Sequence, residues 1–137
     1  MYTEDNFVDR VKELTDGRGV PVVYDSVGKD TFNDSLECLQ PRGLMVSFGN
    51  ASGAVEPFAP ALLAAKGSLF LTRPTLATYT ATRADLEKTS TDLFGVLSSG
   101  AVTVEVNQTY PLENAAQAHR DLEARKTTGS TILLTGV

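Results

Sequence analysis

Two stretches of the chain, Val22-Val23-Tyr24 and Leu44-Met45-Val46-Ser47-Phe48, are apolar at nearly every position, and each runs into small polar residues and glycine: Asp25-Ser26-Val27-Gly28 after the first, Gly49-Asn50 after the second. Continuous apolar runs suit strands covered on both faces, as in a parallel sheet. Around them the period changes to that of a helix. Phe7, Val8, Val11 and Leu14 recur at helical spacing before the turn Asp16-Gly17-Arg18-Gly19, and Phe32, Leu36 and Leu39 mark one face of a helix over 29–39, broken by Pro41-Arg42-Gly43. Strands are predicted over 20–24, 44–48 and 68–72, with Pro21 at the start or edge of the first and Arg73-Pro74 ending the third. A short helix over 60–65 separates the second from the third.

Farther along, Thr82 followed by Asp85 has the spacing of a capping box, opening a helix with Leu86, Leu93, Phe94 and Leu97 inward and Gly100 at its close. A strand over 102–106, a helix over 113–124 and a terminal strand over 131–134 complete the chain. Strands alternating with helices of about ten residues imply right-handed crossovers. The expected fold is α/β: a partial Rossmann-like parallel sheet with flanking helices, followed by a helix-strand segment. Only three strands form the parallel core, against about four to six in a common open sheet, so one edge lacks neighbours. The ends of the first two strands then face the same side, where ligands of such sheets bind.

Composition narrows the function without naming it. The 137 residues fit one domain, and 42% hydrophobic with 21% charged residues is ordinary for a globular sequence. A formal charge of −5 with no Lys/Arg cluster disfavours nucleic acid as a partner. Cys38 is the only cysteine, which precludes an intrachain disulfide or a cysteine-built zinc site and fits a cytoplasmic protein. The acidic Met1-Tyr2-Thr3-Glu4-Asp5-Asn6 does not read as a signal peptide, and no run approaches the roughly 18 apolar residues of a membrane span.

Most candidate motifs favour structural readings. Gly17-x-Gly19 begins like a dinucleotide fingerprint but precedes a strand instead of following one. Ser26-x-x-Lys29 matches a serine-lysine acylase pattern without its companions, and chance explains it better. His119 has no partner with which to build a triad, and Cys38, between Leu36 and Leu39, reads as a packing residue. Asp25 divides evenly between touching a ribose hydroxyl and orienting its own turn. Gly28, Gly49 and Gly53, each taken alone, favour turns over ligand approach. No catalytic residue and no metal ligand emerges.

Three segments taken together change these odds: Asp25-Ser26-Val27-Gly28; Leu36-x-Cys38-Leu39-x-Pro41-Arg42-Gly43-x-Met45-Val46-x-Phe48-Gly49-Asn50-x-Ser52-Gly53; and Lys66-Gly67-Ser68-Leu69-Phe70-x-Thr72-Arg73-Pro74. With Tyr110-Pro111-Leu112, Ala118-His119 and Arg125-x-x-x-Gly129-Ser130, they closely resemble the zeta-crystallin-like quinone oxidoreductases, of the zinc-independent branch of the medium-chain dehydrogenase/reductases. Members are about twice as long, and the chain resembles their last part. The resemblance implies that 1–109 is the later part of a dinucleotide-binding domain and 110–137 a segment returning to a catalytic domain. It implies NADPH as cofactor and a quinone as substrate, with an enone or enoyl reductase as the alternative within the fold. It also implies that the fragment alone is inactive, which leaves open a non-catalytic dimerisation or partner-binding role.

By the same resemblance, Tyr2 contacts the cofactor phosphate. Ser26, Val27 and Gly28 line the nicotinamide side, while Phe48, Gly49, Asn50, Ser52 and Gly53 contact the nicotinamide and its ribose. Arg125 and Gly129 approach the cofactor or quinone. The edge strand Ser68-Leu69-Phe70-Leu71-Thr72 is expected to pair with its two-fold mate in a homodimer. Hydride transfer needs orientation of the cofactor more than an acid, base or nucleophile, so the missing catalytic constellation is expected.

Overall fold

The computed structural model describes residues 6–136. Two compact units divide between Ala81 and Thr82, and each is described by itself.

The first unit is a three-stranded parallel sheet in the order β1 (Val20–Asp25), β2 (Leu39–Ser47), β3 (Phe70–Thr72). Helices α1 (Phe7–Leu14), α2 (Phe32–Glu37), α3 (Ala61–Ala65) and α4 (Leu76–Tyr79) accompany it. Asn6 starts α1, its side-chain oxygen accepting the amides of Val8 at 3.0 Å and Asp9 at 3.3 Å, which satisfies donors that a helix N-terminus leaves open. The core sits between α2, α3 and the sheet. Phe32, Leu36, Leu39, Met45 and Leu69 form it, with Val20, Val23, Val55, Phe58, Leu62 and Leu63 packed around. The Phe32 and Phe58 rings meet at 5.2 Å, within the range in which aromatic pairs attract.

Several boundaries differ from expectation. The second helix is shorter than 29–39 because the carbonyl of Gly28 takes the amides of Thr31 and Phe32, spending residues 29–31 on a turn. At its other end β2 begins at Leu39, well before residue 44. Pro41-Arg42-Gly43 is therefore an irregularity within a strand, the register slipping between Val20↔Leu39 and Val22↔Leu44, with Arg42 at φ 62°. The four-residue α4 had no clear periodic signal. Cys38 is buried, and burial first, then the charge of Asp34, pushes its thiol above the ordinary range, so it packs as an apolar residue.

In the second unit α5 (Arg83–Ser98) opens as the Thr82 and Asp85 spacing predicts: the Thr82 hydroxyl accepts the Asp85 amide at 3.1 Å and donates to the Asp85 carboxylate at 2.7 Å. Its apolar face is inward only at Leu97, which is half-buried. Leu86, Leu93 and Phe94 are exposed, because no element of the same unit covers them. A 3-10 turn (Leu112–Asn114) and α6 (Ala115–Glu123) connect the parallel strands β4 (Val106–Pro111) and β5 (Ser130–Leu134). The strand expected over 102–106 lies later. β5 begins opposite Val106, and the last contact upstream is the Ser130 amide on the Glu105 carbonyl at 2.7 Å, so 102–105 lack a ladder.

Met45, with no exposed surface, is the test of this core. Met45→Ala is expected to lower the unfolding free energy by about 2–5 kcal/mol, read by urea denaturation. An unchanged midpoint would show that the sheet does not depend on this layer.

Candidate functional site

Parallel register places Asp25 level with Ser47, so the turns leaving β1 and β2 emerge side by side. Backbone bonds join them: Phe48 N–H donates to the Asp25 carbonyl at 2.9 Å, Ala51 N–H to Ser26 at 3.1 Å, and Ser52 N–H to Val27 at 2.8 Å. The Ser52 hydroxyl adds a bridge, donating to the Val27 carbonyl at 2.8 Å and accepting the Asp30 amide at 3.0 Å. Gly49 shows how close the two turns are. A Cβ there would lie 2.3 Å from the Ser26 carbonyl oxygen, and one on Gly28, at φ 88°, would lie 2.6 Å from the Gly53 carbonyl oxygen. Only glycine permits this approach.

Beneath the turns is a buried carboxylate. Asp25 is 4% exposed. Its Oδ1 accepts the amides of Val27 at 2.8 Å and Gly28 at 2.9 Å, while its Oδ2 accepts the hydroxyls of Thr31 and Ser35, both at 2.8 Å. Burial pushes the group up, but the hydrogen bonds from Gly28, Thr31, Ser35 and Val27 outweigh it and hold the carboxyl below its ordinary value of 3.8. Of the two readings of Asp25, the oriented turn is therefore the one realised; both oxygens are engaged inside the protein. Thr31 and Ser35 were not singled out from sequence. Their signal was a pair of hydroxyls four residues apart, one at the cap of the helix that follows the aspartate and one within it.

The expected cofactor residues thus divide by what they do. Ser26, Phe48 and Asn50 are exposed and Val27 is half-buried, forming the outward surface of the two turns. Gly28, Gly49, Ser52 and Gly53 hold the turns together. Arg125 and Gly129 lie in the second unit, Arg125 at φ 57° just past α6 and Gly129 at φ 61° against the Glu105 carbonyl. Tyr2 falls outside the described residues. Arg73, expected to end the third strand, also reaches back to the site: it donates from Nη1 to the carbonyl of Ser47 at 2.8 Å. An arginine at the carboxyl end of a parallel strand was the available signal.

The remaining motifs resolve structurally. Gly17 and Gly19 sit at φ 76° and 77°, and the Gly19 amide donates to the Thr15 hydroxyl at 3.0 Å, so this is a turn packed on the sheet. His119 is exposed beside a groove lined by Ala118, Leu122, Thr131 and Leu133, which holds no acid to pair with it. Among the described residues no group of three His, Cys, Asp or Glu side chains could hold a metal ion. No helix among them is long and apolar enough to cross a membrane.

A family model described as zinc-binding dehydrogenase matches residues 1–133. The quinone oxidoreductase of Pseudomonas aeruginosa is 53% identical over 133 residues, 97% of this chain and 41% of that protein. The solved structure of Escherichia coli quinone oxidoreductase complexed with NADPH superposes with a TM-score of 0.89 at 50% identity, covering 98% of this chain and 42% of that one. A 2-haloacrylate reductase of a Burkholderia species is 43% identical over 134 residues, 97% of this chain and 40% of that protein. The chain thus spans about 41% of the length of the curated relatives it matches. Zinc is part of that family description, but the described residues do not fit a zinc site.

Asp25→Ala, which orphans the donors of the turn, is expected to cost about 3 kcal/mol, whereas Asp25→Asn, able to keep the two amide bonds and reverse the other two, costs less. The sign with pH follows from the lowered pKa: the charge stabilises fully above 3.8, and that contribution fades as the pH falls through the lower folded value. Acid titration of stability should therefore be shallower for Asp25→Asn than for the parent. Parallel curves would refute the assignment.

Proposed function

This chain belongs to the zinc-binding dehydrogenase family, within the medium-chain dehydrogenase/reductase superfamily, and from that premise we propose that it carries the nicotinamide-binding edge of an NADPH-dependent quinone oxidoreductase. The observation that carries the reading is the pair of parallel strand ends, level at Asp25 and Ser47 and locked together by the backbone, because open α/β sheets bind ligands at such ends. NADPH, when bound, supplies the hydride. Ser26, Val27 and Asn50 orient the carboxamide and ribose, and Phe48, 49% exposed, offers an apolar surface to a flat ring. Gly28, Gly49, Ser52 and Gly53 keep that surface in register from beneath. Tyr2 is assigned to the cofactor phosphate, and Arg125 and Gly129 to the cofactor or quinone.

In this reading residues 1–109 serve the dinucleotide-binding domain and 110–137 return to a catalytic domain. The single, buried thiol supports a cytoplasmic setting. A second substrate reading, reduction of a conjugated carbonyl such as an enone, is supported by the likeness to the 2-haloacrylate reductase. β3 supports a homodimer: it pairs with β2 on one side only, and Phe70 is 62% exposed, so a second copy across its open edge would satisfy the free backbone groups.

Titration with NADPH should shift the amide resonances of 26–28 and 48–53 in nitrogen-15 NMR spectra, and Asn50→Ala should weaken binding about tenfold. Shifts confined to other segments would sink the reading. Because the chain spans 41% of its relatives' length, NADPH oxidation with a small quinone is expected from a polypeptide of their full length and not from these 137 residues alone. Sedimentation velocity at micromolar concentration should give a dimer that Phe70→Glu converts to monomer; a monodisperse monomer in the parent would rule out the edge pairing.

A further inference from the structure

We propose that Arg73 recognises a ligand oxygen at the strand-end site, a phosphate or carboxamide oxygen of the cofactor or a carboxylate or carbonyl oxygen of the acceptor; this rests on the strand-end reading above. β3 ends with Thr72 opposite Val46, so the residue that follows reaches the same edge as Ser47 and the turn beyond it. The single hydrogen bond from Nη1 to the Ser47 carbonyl fixes the guanidinium there. A guanidinium has five N–H donors in a planar fork, and that bond uses one.

None of the ion pairs among the described residues involves Arg73, although the chain carries 17 acidic residues against 12 basic ones. It is an exposed cation beside a pocket whose walls include Phe32, Val55, Phe58 and Leu71 and whose polar groups are Ser47 and Asn50. Apolar walls with a few convergent polar groups at one end are what a small organic ligand requires. A brace between β2 and β3 alone would need one neutral donor. The charge and the fork are surplus to that role, and both match oxygen anions and carbonyls.

The test titrates the 137-residue chain calorimetrically with two probes, reduced nicotinamide mononucleotide and acrylate, and compares Arg73→Gln, which keeps a donor for the Ser47 carbonyl without the charge, with Arg73→Lys, which keeps the charge without the fork. The expected result is a loss of about tenfold or more in affinity for at least one probe in Arg73→Gln, a smaller loss in Arg73→Lys, and an unchanged thermal midpoint in both. A loss confined to the mononucleotide assigns the oxygen to the cofactor, and one confined to acrylate assigns it to the acceptor. Equal affinity in Arg73→Gln and the parent overturns the inference while the strand-end reading stands. A parent chain that binds neither probe overturns both.

Discussion

The buried carboxylate of Asp25 is the constraint on which the site depends. A charge at 4% exposure is tolerable only if its lone pairs are satisfied inside the protein, and here two amides and two hydroxyls do so. The amides belong to the turn and the hydroxyls to Thr31, at the cap of α2, and Ser35 within it, so one side chain ties the end of β1 to the start of α2. The turn cannot move without orphaning a buried charge. That is why residues 26–28 can present a fixed surface without a rigid element of their own.

From this anchor the second turn follows. Residues 48–53 have little secondary structure, yet their amides find acceptors on 25–27, and Gly49 lets the two backbones meet more closely than a Cβ would allow. The division of labour is consistent: residues that hold the turns are glycine or have their polar groups engaged, and residues facing outward keep exposed side chains. Asp25 and Arg73 illustrate it with opposite charges. The anion is enclosed and spent on structure; the cation is open and anchored by a single bond.

Legibility in the sequence followed the source of each feature's stability. The ends of β1 and β2 could be read because each is a nearly continuous apolar run that breaks into small polar residues, a local signal, although only β2 is buried along its run: Val22 and Tyr24 of β1 are exposed. The Thr82 cap was legible for the same reason, being settled within four residues. The start of β2 was not: Pro41-Arg42-Gly43 looks like a break, and only the ladder with β1 on one side and the Arg42 amide on the Gly67 carbonyl on the other make it part of a strand. Val102 and Val104 alternate as a strand should, but a ladder needs a partner, and β5 starts opposite Val106. Asp25 was undecidable from its own motif because the deciding groups, Thr31 and Ser35, lie a turn and a helix away.

The exposed apolar face of α5 carries the reasoning one step further. Leu86, Leu93 and Phe94 have the spacing of a buried stripe, and the helix they form is correctly placed and correctly capped, yet its own unit offers nothing to cover it. Amphipathic periodicity reports that a face is built for burial and is silent about where the cover comes from. The same distinction applies at the strand ends. Their pattern says that the backbone is held; what they hold is decided by the side chains left exposed once the holding is done, and in the first unit those are Ser26, Phe48, Asn50 and Arg73.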